Sequence, residues 1–362
     1  MEGLGLMDDL FWHGKRVLIT GHTGFKGGWL SLWLSLKGAI VTGYALKPPT
    51  DPSFFAKCRL DQCMTSVIGD IRDFEYLMSV AKQHQPEIVI HMAAQALVRP
   101  SYNNPIETYE TNVMGTVNLL EVVRQLPGVK AVLIITSDKC YENREWEWGY
   151  REIDPMGGYD PYACSKGCAE LITASFRNSY FSDSLYHDHG VALASARAGN
   201  VIGGGDWAQD RLVPDIWKSI EAGDSVQIRY PGTVRPWQHV LDPLHGYICL
   251  VEKLYNDGVE YAEGWNFGPD DSNCQPVLNL LKEFKHILGD RFNWSQDGNQ
   301  HPHEAKMLKL DSSKARRRIS WKPRLDLRTA IAWTIEWYRN SHHDSDIKGV
   351  SEKQIRTYEE LL

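Results

Sequence analysis

The chain has 362 residues, 43% of them hydrophobic, with a formal net charge of -7, so it can bury one large or two medium cores. The acidic balance argues against a nucleic-acid or anionic-membrane surface, which needs a basic patch, and no apolar run approaches the roughly 20 residues of a membrane span. The basic run "KARRR", Lys314 to Arg318, reads as a solvated helix face. The N-terminus "MEGLGLMDDLFW" is acidic rather than a secretory signal, and seven cysteines without a CxxC pair suit reduced thiols. The expected location is therefore the cytoplasm. "HPHE" from His301 lacks companion ligands, and no metal is expected.

In chain order, "RVLITG", "AIVTGYAL", "SVIGD", "EIVIHMAA" and "VKAVLIITS" read as short β-branched strands separated by helical patterns. That alternation predicts a doubly wound parallel sheet covered on both faces, an α/β fold of Rossmann-like type. "ETYETNVMGTVNLLEVVRQL" carries Val113, Val117, Leu120 and Val123 at helical spacing, a further helix is expected from about Tyr159, and "VALASARAGNVIG" resumes strand character. After about Gly203 the alternation weakens and Gly, Pro and Trp become frequent. A smaller α/β substrate-binding lobe fed by discontinuous segments fits this change. The expected division is 1–200, mainly cofactor binding, and 201–362, mainly substrate binding with some segments returning to the first domain. Helices are predicted again at "PLHGYICLVEKLY", "PVLNLLKEFKHIL" and "LRTAIAWTIEWYRN".

Gly21, Gly24 and Gly27, with Phe25 and Lys26 among them, lie directly between the first strand and an apolar helix. Glycines there permit a tight turn and close backbone approach, so that a pyrophosphate can sit on free N–H groups at the helix start. This predicts a dinucleotide site. The second strand ends without the acid that would hold the ribose of NAD, offering Tyr44 and Lys47 instead, so these residues do not separate NAD from NADP. Asp70 and Ile71 follow the third strand as a candidate adenine pocket.

Two pairs of residues carry the chemistry. Tyr162 and Lys166 are four apart on a predicted helix and share a face. A nearby ammonium stabilises phenolate, which would bring the tyrosine toward neutrality as a base for a substrate hydroxyl. In "ITSDKCYEN", Asp138 and Lys139 follow Ser137 where a buried strand runs out, and read as either a loop-start ion pair or a proton-handling acid and base.

The motifs "TGHTGFKG", "MAAQ", "DPYACSK", "RAGNVIG", "RPWQHVLD" and "WNFGP" resemble, in order and over nearly the whole length, the extended short-chain dehydrogenase/reductase family. The resemblance implies NAD as cofactor and Ser137, Tyr162 and Lys166 as a hydride-transfer triad. It also implies that Ala93, Ala94 and Gln95 line the cofactor and that Asn112 supports the site. The charged residues after Ser137 resemble the sugar-nucleotide 4,6-dehydratases, where the pair is typically Asp-Glu; here it is Asp-Lys, and "TSDKCYEN" is most similar to the branch acting on CDP-glucose. In such a reaction, oxidation at C4 acidifies the C5 hydrogen, water leaves from C6, and the stored hydride returns to C6.

The implied roles are Tyr162 as base at O4, Asp138 as acid at O6 and Lys139 at C5. Lys139 acts there as a base if burial and the charge of Lys166 keep it neutral, or as an electrostatic stabiliser if it stays charged. Arg235, Asn200 and Arg211 are the candidate substrate ligands. Trp146 and Trp148 either cover the sugar or pack on the surface. The family also implies a homodimer or tetramer through a four-helix interface, and a product that feeds deoxysugars into bacterial surface polysaccharide such as lipopolysaccharide O-antigen. An epimerase or reductase of the same fold is the alternative, and a non-enzymatic cofactor-binding module is disfavoured by the intact triad.

Overall fold

The computed structural model describes residues 10–299, 307–342 and 346–362; "HPHE" lies outside them. Seven parallel strands form the central sheet: β1 (Arg16–Thr20), β2 (Ile40–Ala45), β3 (Thr65–Ile68), β4 (Ile88–His91), β5 (Ala131–Ile135), β6 (Ala192–Ala198) and β7 (Gly264–Phe267). Their spatial order is β7-β6-β5-β4-β1-β2-β3. The order reverses between β1 and β4, and the crevice outside the strand ends at such a point is where a doubly wound sheet binds its ligand.

β4 and β5 are buried at every position, as strands covered on both faces must be. Successive side chains serve opposite faces. Val17, Ile19, Ile88, Ile90, Leu133 and Ile135 join one core, and Leu18, Val89, Val132 and Ile134 join the other. The first core continues into the helices Leu241–Asp257 and Leu327–His342 and carries most of the buried tryptophans. β3 is only partly buried, consistent with its place at the sheet edge.

Three helices position the site. α1 (Phe25–Leu36) follows the glycine turn, α2 (Gly115–Gln125) continues from the π-turn Glu110–Met114, and α3 (Pro161–Ser179) follows the loop after β5. The start of α3 is fixed by Asp160, whose carboxylate accepts the Ala163 N–H, and by Pro161 in the first turn. The predicted helix over "ETYETNVMGTVNLLEVVRQL" is present but contains the π-turn. The predicted strand through "VALASARAGNVIG" ends at Ala198, and Val201–Ile202 pairs separately with Gln238–His239.

Beyond β6 the chain builds short two-stranded pairs and the helix Leu212–Ala222. The helix Leu241–Asp257 then packs back on the sheet and β7 pairs with β6. Among the described residues no helix is long and apolar enough to cross a membrane.

Candidate active site

The switch point opens into one cleft of about 2170 Å³ lined from both halves of the chain, larger than the ~300–1,000 Å³ of a pocket for one small ligand. Gly21 adopts φ +80, and a Cβ there would stand 2.7 Å from the Ala93 amide nitrogen; a Cβ on Gly27 would stand 2.2 Å from the Gly21 carbonyl oxygen. Only glycine fits either place. Among the described residues no side chain caps the start of α1, no acid lies in its first turn, and Gly24 to Gly27 line the cleft, which leaves its amides available as anion donors. These features fit a dinucleotide pyrophosphate.

Around the turn, Ala93, Ala94, Gln95, Asp70, Ile71, Tyr44 and Phe25 all line the cleft, but several spend their polar atoms on the protein. The Tyr44 hydroxyl donates to the Asp70 carbonyl at 2.9 Å, and the Asp70 carboxylate pairs with Arg72 at 2.6 Å. Gln95 folds back, accepting from the Leu97 amide at 2.5 Å and donating to Thr108 at 3.1 Å. Asn112, in the π-turn, accepts from the Gln95 amide at 2.8 Å and donates to Ser165 on α3 at 2.8 Å. It thereby ties the loop after β4 to the helix that carries Tyr162. Lys26 leaves the turn and donates to the Tyr247 hydroxyl at 2.9 Å. Burial, Lys166 and Arg211 lower Lys26 to about 7 against the opposing pull of Asp138.

Ser137, Asp138, Lys139, Tyr162 and Lys166 all line this cleft. Ser137 caps the short turn Asp138–Cys140, accepting the Lys139 amide at 3.3 Å and donating to the Asp138 carboxylate at 3.0 Å. The other Asp138 oxygen is buried without a hydrogen-bond partner among the described residues. Burial raises the Asp138 carboxyl, against the opposing pull of Lys139, Ser137 and Arg235. The Lys139 ammonium lies 5.8 Å from the centre of the Tyr162 ring.

The expected lowering of Tyr162 by Lys166 is not seen. Burial pushes Tyr162 up to about 12, opposed by its hydrogen bond with Ser137 and by the charge of Arg211. Lys166 donates to the Ile135 carbonyl at 3.3 Å, and burial brings it down to about 8.

Arg211 is anchored by Asp206 at 2.9 Å. Arg235, on the strand Val234–Pro236, donates to its neighbour's carbonyl at 3.0 Å and acts on Asp138. Asn200 lines the cleft where its carbonyl receives the Gln238 amide at 3.2 Å. Neither Trp146 nor Trp148 lines the cleft: Trp146 stacks on Tyr150 at 5.1 Å and the two tryptophans frame a separate recess. Their neighbours Asn143, Arg144 and Glu145 face the cleft instead.

Sequence reasoning missed Tyr247 and the bridge across the cleft from Arg99 to Asp210 at 3.0 Å. Arg229 stands 3.7 Å from the same carboxylate. No local spacing signals such contacts. Among the described residues no group of three or more His, Cys, Asp or Glu is placed to hold a metal ion.

A parallel sheet with a glycine turn at its switch point and a Ser-Tyr-Lys cluster beside it is the framework of a dinucleotide-binding oxidoreductase, and the chain belongs to the GDP-mannose 4,6 dehydratase family, which it matches over residues 18–334. It is 56% identical over 353 residues to the CDP-glucose 4,6-dehydratase of Salmonella typhimurium, covering 98% of both chains. Among solved structures it resembles the UDP-glucose-4-epimerase of Stenotrophomonas maltophila, with a TM-score of 0.78 and 22% identity over 90% of this chain and 98% of that one. It also resembles the dTDP-glucose 4,6-dehydratase of Bacillus anthracis in complex with NAD, with a TM-score of 0.74 and 21% identity over 92% and 100%. The two structures establish the fold.

Proposed function

We propose that the protein binds NAD and converts CDP-glucose to CDP-4-keto-6-deoxyglucose and water. The observation that carries this reading is Asp138, a carboxyl buried at the end of β5, raised toward its protonated form and with one oxygen unpartnered among the described residues. Hydride transfer alone needs no such acid beside Ser137 and Tyr162, whereas expulsion of a hydroxyl as water does. The cytosine base and NAD as the resident cofactor are supported by the Salmonella relative and by the NAD-bound dehydratase of like fold.

In this reading Tyr162, hydrogen bonded to Ser137, takes the proton of the C4 hydroxyl. Bound NAD would supply the hydride acceptor for C4, return the same hydride to C6, and add a positive charge that lowers Tyr162. Lys139 removes the proton from C5, the C–H electrons form the C5–C6 double bond, and the C6–O bond breaks; Lys139 then returns a proton to C5 as the hydride reaches C6. Asp138 gives its proton to the departing oxygen, which leaves as water. Arg235, Arg211 and Asn200 hold the sugar nucleotide from the second lobe.

Residues 1–200 mainly hold the cofactor and 201–362 mainly the substrate, with β7 and the helix before it returning to the first domain. A homodimer or tetramer built on α2 and α3 is supported by Ile106, Met114 and Leu171, which are 73%, 51% and 60% exposed on or beside these helices. Nucleotide sugars and NAD are cytoplasmic solutes, and we place the protein there.

The test is incubation with NAD and CDP-, dTDP-, GDP- or UDP-glucose, scored by mass for loss of one water. Loss from CDP-glucose supports the reading; loss from another sugar nucleotide keeps the dehydratase and discards the base. No loss from any of them favours an epimerase.

A further inference from the structure

Beneath the reacting groups lies a buried ion pair that the steps above do not use. Glu170, one turn beyond Lys166 on α3, pairs with Arg197 of β6 at 2.7 Å, their side chains 4% and 5% exposed. One Glu170 oxygen accepts the Thr136 hydroxyl at 2.5 Å, and the other accepts the Ser195 hydroxyl at 2.6 Å. Arg197 donates in turn to the Tyr141 hydroxyl at 2.6 Å and to the Glu152 carbonyl at 3.2 Å. Tyr141 donates its own proton to Asn266 of β7 at 2.8 Å. Thr136 and Tyr141 are the residues on either side of the segment Ser137–Cys140. The pair therefore grips both ends of the turn that carries Ser137, Asp138 and Lys139.

We propose that Glu170 is a positioning residue for the reaction, fixing through Thr136 and Arg197 the turn that carries Ser137, Asp138 and Lys139. The proposal rests on the dehydratase reading, because turnover of CDP-glucose is its readout. A clamp of neutral side chains would fix the turn equally well; a carboxylate also places a negative charge one turn beyond Lys166 on the same helix, which favours its charged form. Lys166 is surrounded by the Ile135 carbonyl, by Cys140, and by the charges of Glu170 on its own helix and Lys26 on α1, with His91 of β4 nearby. Of these, Glu170 favours the charged amine against burial, while the buried Cys140 thiol, itself pushed up, stays neutral. Glu170 itself faces Arg197, Arg177 and Cys140 besides its two hydroxyl donors. Losing its charge lets Lys166 give up its proton at lower pH.

The experiment is the pH dependence of kcat for CDP-glucose in wild type, Glu170→Gln and Thr136→Val. Glu170→Gln is expected to move the alkaline limb of kcat down by about one pH unit and to lower kcat by on the order of a hundredfold, with KM little changed. Thr136→Val, which loosens the turn and keeps the charge, is expected to lower kcat with the limb in place. If Glu170→Gln strands Arg197 and fails to fold, the double variant Glu170→Gln/Arg197→Gln removes both charges and should move the limb in the same direction by less, because the Arg197 cation that opposed Glu170 goes with it. An alkaline limb that stays put in the folded charge variant, or an unchanged kcat in Thr136→Val, overturns the inference. A wild type inactive on CDP-glucose instead overturns the dehydratase reading.

Discussion

The ammonium of Lys166 donates to the carbonyl of Ile135 at 3.3 Å, which turns it toward the end of β5, and Arg211 is a charge that pulls the Tyr162 phenol down against burial. The Tyr-Lys spacing brings both groups to the site, but the strand end decides where the lysine points. Arg211→Gln should therefore raise Tyr162 further and move the acidic limb of kcat to higher pH, with kcat at neutral pH falling roughly tenfold for each pH unit the limb moves. Arg211→Lys, which keeps a charge for Asp206, should restore part of the loss. A limb that stays in place in the Gln variant would remove Arg211 from this role.

Lys139 stands beside the Tyr162 ring rather than in solution, within reach of the same substrate face. Lys139→Met should still oxidise C4 yet fail to exchange the C5 hydrogen with solvent. The check is deuterium incorporation at C5 in heavy water, read by mass or proton NMR. Exchange at the wild-type rate would assign C5 to another base.

Asp242 is buried and raised to about 7, chiefly by burial, with one carboxylate oxygen unpartnered among the described residues. Its other oxygen accepts the Arg324 amide at 2.7 Å and the Tyr358 hydroxyl at 2.8 Å, which anchors the C-terminal helix. A carboxyl raised in the folded state stabilises fully below its unfolded value near 4, and the contribution is lost as pH rises toward about 7. Asp242→Asn keeps the neutral shape and removes this slope, so its stability relative to wild type should be greater at about pH 8 than at about pH 5, by roughly 2–4 kcal/mol. Urea unfolding at both pH values measures the difference, and equal differences would show that Asp242 is not held protonated.

The sheet was readable because each strand and the turn that follows it are local. β-Branched runs, glycines and a helix-starting Asp-Pro lie within a few residues of one another. The same holds for Ser137 to Lys139 and for Tyr162 with Lys166, whose neighbourhood follows from strand-end and helix geometry. What was not readable depends on segments that meet only in the fold. Lys26 was placed on the phosphate turn by its motif, but it reaches Tyr247 from a helix late in the chain. Gln95 carries the residue type of a cofactor ligand and uses it to close its own loop on Leu97 and Thr108. Arg99 and Asp210 meet across the cleft with nothing in either local sequence to pair them. Trp146 could by its sequence either cover the sugar or pack on the surface, and it stacks on the Tyr150 ring outside the cleft.

The most direct test of the central claim is one turnover of Asp138→Asn loaded with NAD and CDP-glucose, followed by the near-ultraviolet absorbance of reduced nicotinamide and by the mass of the sugar nucleotide. The account predicts that the absorbance rises and stays, while the sugar nucleotide is not released with the loss of one water, because oxidation at C4 proceeds without the acid for the C6 oxygen. Water loss at the wild-type rate would contradict it and return Asp138 to the role of a buried ion-pair partner.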